Sequence, residues 1–301
     1  MRICSLLPSA TEILFALGLG DSVAGVTHEC DFPPAAAQKP ALIRPRVDPH
    51  AAPAELDRQV RDLVARGESI YAVDAELLRS IAPDLIVTQD LCHVCAASPD
   101  DLATALTRLP KMPQVLSLTP HCLAEVWNDI RRVGQATGRC QEAEALAAAL
   151  EQKVSAVALV AAQLRAPRVL CLEWLDPFYV GGHWVPEMVA KAGGEDVLGR
   201  PGEASFRVTS EEILQSRPDV IVVMPCGYNS SRAYAEFSLA KISDGWVALP
   251  AVRNRKIFAV DANSYFSRPG PRLADGVALL AHIFHPDLRE EPPLANAYQP
   301  L

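Results

Sequence analysis

The sequence predicts an α/β protein of two lobes, each with a sheet of parallel type, joined by a single long backbone helix with a ligand cleft between the lobes. Two observations carry this prediction. A short pattern of residues occurs twice, at Val73 and again at Val208, 135 positions apart. Between the two copies, residues 123–164 have almost uninterrupted helical composition. Two copies of one helix-strand unit indicate two similar lobes.

Each copy of the repeat has the composition of a capped helix, a proline stop and an aliphatic strand. The first copy runs Val73, Asp74, Glu76, Pro83-Asp84 and Leu85-Ile86-Val87, and the second runs Val208, Thr209, Glu211, Pro218-Asp219 and Val220-Ile221-Val222-Val223. Thr209 and Glu212 also have the spacing of a capping box.

The remaining elements of the first lobe follow from apolar patterning and from glycine and proline punctuation. The predicted elements are strand Ile3–Leu7, helix Thr11–Leu17, strand Val23–Val26, helix Leu56–Ala65, helix Leu102–Leu109 and strand Gln114–Leu118. Residues 35–54 are rich in proline and alanine and are expected to cross the surface without regular structure.

The second lobe is predicted in the same way. Its elements are strand Arg168–Leu172, helix Pro186–Ala192, the second repeat, strand Lys256–Val260 and helix Leu273–Phe284. The predicted organisation is a first lobe at 1–120, a linking helix at 121–166, a second lobe at 167–286 and a loosely packed tail at 287–301.

Composition excludes two classes of protein. The net charge of −8 argues against a nucleic-acid-binding protein, which usually carries a basic face. No apolar run reaches the roughly 20 residues of a membrane-spanning helix. Met1-Arg2 leads directly into the first strand, so a cytoplasmic location is expected unless a leader has been removed. The eight cysteines are accordingly expected to be free thiols.

Several segments stand in a specific order and spacing over residues 1–285. They are Ser5-Leu6-Leu7-Pro8-Ser9-Ala10-Thr11-Glu12, Gly25-Val26-Thr27-His28-Glu29-Cys30-Asp31-Phe32-Pro33, Pro83-Asp84-Leu85-Ile86-Val87, Gly193-Gly194, Ser210-Glu211-Glu212-Ile213-Leu214 and Pro271-Arg272-Leu273. Together these segments resemble the substrate-binding proteins of ABC importers for vitamin B12 and ferric siderophores. The resemblance implies two lobes on a rigid helical backbone, a large ligand held between the lobe tips, and an ABC transporter permease as partner.

The same resemblance implies one docking carboxylate on each lobe. Glu211 matches the second-lobe position, and Asp101, or the neighbouring Asp100, is nearest to the first-lobe position. Glu211 has a second interpretation, because an acidic residue in a first helical turn also stabilises the helix dipole.

Ligands of parallel α/β sheets gather at the carboxyl ends of the strands. The candidate ligand-binding residues in the loops there are Pro8, Ser9, His28, Cys30, Asp31, Gln89, Cys92, His93, Trp174, Phe178, Trp184, Tyr228, Tyr265, Phe266 and Arg268. The aromatic members suit the apolar face of a corrin, although core packing explains the same residues. Ser9 is also explained as a helix cap. Arg268 and Arg272 could clamp an anionic edge or tie the loop to the last helix.

The loops containing His28-Glu29-Cys30 and Cys92-His93-Val94-Cys95 form a candidate metal site. Thiolates with imidazole satisfy zinc or another thiophilic metal, which makes His28, Cys30, Cys92, His93 and Cys95 the candidate ligands. Alternatively, His28 or His93 supplies an axial imidazole to the cobalt of a corrinoid. A redox pair is a further possibility, but the thioredoxin-like context is absent.

The functional hypothesis is therefore a binding protein for a corrinoid or related metallo-ligand. The alternative is a metal-binding or thiol-redox protein that uses the Cys/His loops. The sequence contains no phosphate-cradling glycine-rich loop, Gly-x-Ser-x-Gly elbow or His-Glu-x-x-His helix, so no enzyme is predicted.

Overall fold

The structure is a computed structural model that describes residues 1–48, 51, 53–89, 99–107, 109–240, 243–287 and 296–301, with the side chains of 53 and 99–101 left out. The chain divides into two compact units. Unit 1 comprises 1–120 and 128–147, and unit 2 comprises 121–127 and 148–301. Both contain helices and a sheet with parallel strands, so the predicted α/β class is confirmed.

Unit 1 is built on a sheet with the strand order β4-β3-β2-β1-β5-β6. Its strands are β1 (Ile3–Ser5), β2 (Val23–Thr27), β3 (Ala41–Pro45), β4 (Tyr71–Val73), β5 (Leu85–Thr88) and β6 (Gln114–Ser117). All neighbouring pairs are parallel except β3 with β4. The central strands β1 and β5 are buried along their whole length, which explains their uninterrupted apolar composition.

Four helices lie wholly within unit 1: α1 (Pro8–Ala16), α2 (Pro53–Ala65), α3 (Ala75–Ile81) and α4 (Pro99–Leu106). The Asp74 side chain caps α3 by accepting a hydrogen bond from the Leu77 N–H at 2.9 Å. The core beneath the sheet includes Leu42, Leu78 and Ile86. The stretch 35–54 was expected to lack regular structure. That prediction is wrong for part of the stretch, because β3 lies within it and buries Leu42 and Ile43.

Two helices, α5 (Leu123–Thr137) and α6 (Cys140–Ala161), replace the predicted single helix. The break occurs at Gly138, whose φ of +72° lies in the left-handed region that glycine reaches without steric cost. The Arg139 N–H bonds back to the Gly134 carbonyl at 2.8 Å, which closes the end of α5. The helical composition was therefore interpreted correctly, whereas its continuity was not.

Unit 2 has a sheet with the strand order β12-β11-β10-β7-β8, and β9 also pairs with β7. Its strands are β7 (Arg168–Leu175), β8 (Phe178–Val180), β9 (Glu195–Asp196), β10 (Val220–Val223), β11 (Ile257–Val260) and β12 (Tyr298–Pro300). Strands β8 and β12 are antiparallel to their neighbours. The tail was expected to pack loosely, but residues 298–300 form an edge strand of this sheet.

The helices of unit 2 cover this sheet. They are α7 (Val185–Lys191), α8 (Ser210–Ser216), α9 (Ser230–Leu239), α10 (Pro250–Arg253), α11 (Ala262–Tyr265) and α12 (Leu273–Phe284). The predicted capping box begins α8: Thr209 Oγ1 accepts from the Glu212 N–H, and the Glu212 carboxylate accepts from the Thr209 N–H. The core includes Leu170, Ile221 and Trp246.

Candidate functional site

In unit 1, the segments that follow β1 and β2 are joined by a network of buried hydroxyl and thiol groups. Thr11 Oγ1 donates to Ser5 Oγ at 2.8 Å and lies 3.1 Å from Cys30 Sγ. Thr27 Oγ1 lies 3.3 Å from the same sulfur. Cys30 is therefore buried among hydroxyl partners, which fix the loop that carries His28.

The first turn of α1 contains Pro8 and Ser9. Pro8 occupies the first helical position, where its missing N–H costs nothing. Leu7, not Ser9, is the N-cap residue, and no side chain caps this helix. Ser9 is buried, so the structure does not support its interpretation as a helix cap.

His28 has the most specific geometry among the candidate residues of unit 1. Its Nδ1 lies 3.0 Å from the Ile43 carbonyl oxygen, which only accepts hydrogen bonds, so Nδ1 carries the proton. In the neutral ring, Nε2 therefore carries the lone pair that a metal requires. The Tyr71 ring packs at 5.8 Å from the imidazole, and the His28 side chain is 25% exposed.

The other candidates of unit 1 lie near the same strand ends or outside the described residues. Gln89 follows β5 and is buried, whereas Asp31 is exposed. Cys92, His93 and Cys95 lie outside the described residues. Within the described ranges, no three His, Cys, Asp or Glu side chains are grouped as metal ligands would be. The five-residue metal site accordingly stays a prediction.

In unit 2, Trp174 and Tyr228 form one aromatic group at the carboxyl ends of β7 and β10. Their rings meet edge-to-face with centroids 5.7 Å apart. The Arg232 guanidinium lies 3.8 Å from the Tyr228 ring centroid and donates to its hydroxyl at 3.1 Å. Burial raises the pKa of Tyr228, which keeps the phenol neutral. Trp174 is only partly buried, so this group presents an indole at the strand ends.

The other aromatic candidates are packed into unit 2. Phe178 stacks on the buried Trp246 with centroids 5.5 Å apart, and β7 and β8 form a hairpin where a loop was expected. Trp184 donates its indole N–H to the Phe266 carbonyl at 2.8 Å. Trp184, Tyr265, Phe266 and Arg268 are all buried. Burial also raises the pKa of Tyr265 to about 12. Their predicted ligand contacts stay predictions, and the three aromatic side chains belong to the buried core.

The two candidate docking carboxylates occupy first turns of helices. Glu211 is exposed in α8, and its Oε1 accepts a hydrogen bond from Gln215 at 2.8 Å. The cap of this helix is made by Glu212, so Glu211 has no share in the capping box. Asp101 and Asp100 lie in α4, and their side chains are outside the part of the protein that the structure describes.

Sequence reasoning missed Tyr71, Phe32 and Arg232. Tyr71 lies in β4, which was not predicted although Ile70-Tyr71-Ala72-Val73 has the composition of a strand. Phe32 is 43% exposed in the loop after His28. Arg232 would have been found with α9, because Asn229 is a good N-cap residue and places Arg232 four positions after Tyr228.

These features define an α/β binding protein with polar and aromatic groups at the carboxyl ends of parallel strands. Residues 3–264 match the family described as periplasmic binding protein, and the chain belongs to that family. Family membership supports a small-molecule ligand and an ABC transporter permease as partner rather than catalysis.

Individual relatives support the same class. The chain is 28% identical to the uncharacterized ABC transporter substrate-binding lipoprotein YvrC of Bacillus subtilis, over 96% of this chain and 82% of the relative. It is 25% identical to a vitamin B12-binding protein of Vibrio cholerae, over 92% and 86%. The apo periplasmic heme-binding protein RhuT from Roseiflexus sp. RS-1 superposes with a TM-score of 0.72 at 27% identity, covering 95% of this chain and 98% of that one.

One of these relatives is named as a lipoprotein and another as a periplasmic protein. The relatives therefore do not support the cytoplasmic location that was expected from the amino terminus. Among the described residues, no helix is both long enough and apolar enough to cross a membrane.

Proposed function

We propose that this protein binds a corrinoid and that His28 Nε2 coordinates the cobalt. The single observation that carries the proposal is the hydrogen bond between His28 Nδ1 and the Ile43 carbonyl, because it assigns the lone pair to Nε2. Metal-binding histidines are oriented in this way by a partner on their other nitrogen. Membership of the family and the vitamin B12-binding relative support the choice of ligand.

The surroundings of His28 suit a flat macrocycle with polar edges. Tyr71 supports one side of the imidazole, and the exposed Phe32 ring lies four residues along the chain. Glu29 Oε1 is 3.8 Å from His28 Nε2, so a carboxylate lies beside the nitrogen that we propose as the metal ligand. In unit 2, we propose that Trp174 contributes an aromatic contact to the same class of ligand.

The test is a visible-absorbance titration with aquocobalamin, whose bound water an imidazole can displace. We expect the wild-type protein to shift the visible bands and to retain the ligand in gel filtration. His28→Ala should abolish the shift and weaken binding by about tenfold or more, as lost metal ligation does. His121→Ala is the matched control, since that ring also lies partly exposed beside a glutamate. Wild-type protein that neither shifts nor retains aquocobalamin would refute the proposal.

Heme is a second candidate, because the heme-binding protein RhuT is 27% identical over 95% of this chain. The same His28 geometry would serve iron. A parallel titration with hemin distinguishes the two ligands: a Soret shift without any response to aquocobalamin assigns heme, and the reverse result assigns the corrinoid.

We also propose that Glu211 and Asp101 contact the permease. Glu211 is exposed and is not needed for the helix cap, which leaves its carboxylate accessible to a basic partner. Reversal of its charge in Glu211→Lys should weaken co-purification with the permease while ligand binding is retained. Equal co-purification of the permease with the wild-type protein and with Glu211→Lys would rule out this role for Glu211.

A further inference from the structure

A pocket lies at the amino ends of the strands of unit 2, at the edge of the sheet opposite Trp174 and Tyr228. Its volume is about 220 Å³, and it is lined by Arg165, Pro167, Asp219, Asn254, Lys256 and Phe284. Arg165 and Pro167 precede β7, Asp219 precedes β10, and Lys256 precedes β11. The pocket is thus formed where three parallel strands begin.

The charged groups of this pocket favour an anion. Arg165 and Lys256 are both exposed, and neither forms an ion pair with any residue that the structure describes. Among the described residues, Asp219 is the one acidic residue of the lining, and its Oδ2 accepts a hydrogen bond from the Arg168 backbone N–H at 3.1 Å. The described lining therefore carries two cations and one engaged carboxylate in a protein whose net charge is −8.

One lining residue, Phe284, is aromatic and fixed in place. It is 4% exposed at the end of α12, and Gly194 approaches it so closely that an added Cβ would come within 2.8 Å of the ring. The backbone of the pocket is held by hydrogen bonds from Ile221 N–H to the Lys256 carbonyl and from Asp219 N–H to the Arg168 carbonyl, at 2.9 and 2.8 Å. The backbone that carries the lining residues is therefore ordered before a ligand binds.

We propose that this pocket binds a small organic carboxylate, with its anionic group between Arg165 and Lys256 and its apolar part against Phe284. A guanidinium binds a carboxylate through two parallel hydrogen bonds, and the Asn254 amide offers a further donor. The pocket is smaller than the roughly 300–1,000 Å³ of sites for drug-sized ligands, which excludes a macrocycle. The site is independent of the proposed corrinoid site.

His285 provides a readout of occupancy. Burial lowers the pKa of this imidazole, and the positive charge of Lys256 lowers it further. A carboxylate bound at Lys256 offsets that charge, so the pKa of His285 should rise when the pocket is filled. Neutral ligands that only contact Phe284 would leave the pKa of His285 unchanged.

The test uses benzoate as the probe, with NMR detection on the full-length protein. We expect saturable binding with a Kd of about 1 mM, as for a ligand of this size, and a rise in the pKa of His285. Benzyl alcohol, which has the ring without the charge, should bind at least about tenfold more weakly. Inorganic phosphate, which has the charge without the ring, should also bind more weakly.

Two variants locate the site. Arg165→Ala and Lys256→Ala should each weaken benzoate binding by about tenfold, whereas Arg253→Ala removes an exposed cation outside the pocket and should have no effect. Thermal unfolding of each variant establishes that it is folded. Equal binding of benzoate and benzyl alcohol, tighter binding of phosphate, or an equal loss in Arg253→Ala would overturn the proposal. Aquocobalamin binding should be unchanged in all three variants.

Discussion

The Asp84 carboxyl accepts a hydrogen bond from the backbone N–H of Arg2 at 2.8 Å, and Asp219 makes the same contact with the N–H of Arg168. In each unit, the aspartate follows the proline of the repeated pattern and precedes a central strand. The N–H that it binds belongs to the start of the neighbouring parallel strand. The aspartate of the repeated Pro-Asp pair therefore connects two neighbouring strands at their amino ends.

The first prediction concerns Asp84. The hydrogen bond from Arg2 lowers the pKa of this carboxyl, with smaller effects of nearby positive charges. A lowered pKa stabilises the folded state above the ordinary pKa of aspartate, and this stabilisation is lost as the pH falls through the lowered value. Asp84→Asn should therefore lower the melting temperature at pH 7 and have a smaller effect at pH 2, measured by circular dichroism.

Asp21→Asn is the control for Asp84→Asn, because Asp21 is also exposed but lies in the short turn 20–22. It should leave the melting temperature unchanged at both pH values. A loss in Asp84→Asn that persists undiminished at pH 2 would show that the carboxylate charge is not responsible.

The second prediction concerns the capping box of α8. Thr209 Oγ1 lies 3.2 Å from the Glu212 nitrogen, and Glu212 Oε2 lies 2.7 Å from the Thr209 nitrogen. Thr209→Ala should lower the free energy of unfolding by about 1 kcal/mol, as loss of an N-cap does. Chemical denaturation of Thr209→Ala, Glu212→Ala and the double variant checks this, and additive effects would contradict a reciprocal cap.

The helix ends of the repeat were predictable because their signals are local. Asp74 and Thr209 act as caps through their own side chains, and both helices end before a proline that disfavours helical backbone in the preceding residue. Ala82 and Arg217, the residues before those prolines, adopt φ values of 46° and 45°. Local chemistry of this kind does not depend on tertiary contacts, so the same sequence pattern predicts the same helix start and end in both units.

The elements that sequence reasoning missed are those stabilised by distant partners. Strand β3 exists because Leu42 and Ile43 pack against the core of unit 1, and β12 because it pairs with β11. The tautomer of His28 likewise depends on a carbonyl fifteen residues away. No local pattern encodes such contacts, so the sequence indicated His28 as a candidate but not its available nitrogen.

The third prediction concerns Asp196, whose Oδ2 is buried without a hydrogen-bond partner in the described part of the chain. Burial raises the pKa of this carboxyl from 3.8 to about 6, against hydrogen bonds from Gly199 and Leu198 that lower it. Because the folded state holds the proton more tightly, the contribution of Asp196 to stability is greatest below pH 3.8 and is lost as the pH rises to about 6. This contribution changes by roughly 3 kcal/mol over that range.

Asp196→Asn should remove this decline, since an amide does not titrate in that range. The comparison is the free energy of unfolding at pH 4 and pH 7, with Asp244→Asn as an exposed control. We expect the change in the free energy of unfolding from pH 4 to pH 7 to be less favourable in the wild-type protein and the control than in Asp196→Asn. An identical pH dependence in all three proteins would be inconsistent with a raised pKa at Asp196.

The last prediction concerns the anchoring of the terminal strand β12. The Tyr298 hydroxyl lies 3.0 Å from His282 Nε2 on α12, and the Tyr298 ring also packs against Phe258 of β11. Tyr298→Phe keeps the ring but removes the hydroxyl, so it should lower the free energy of unfolding by about 1 kcal/mol. Tyr234→Phe, on a side chain that is 41% exposed, should cause no loss when both variants are unfolded in urea.

Because the Tyr298 hydroxyl holds the strand to the helix, hydrogen exchange at the Leu301 amide, which bonds to the Ile257 carbonyl, should accelerate in Tyr298→Phe alone. Unchanged exchange at Leu301 would mean that strand pairing with β11 is sufficient to hold the terminus.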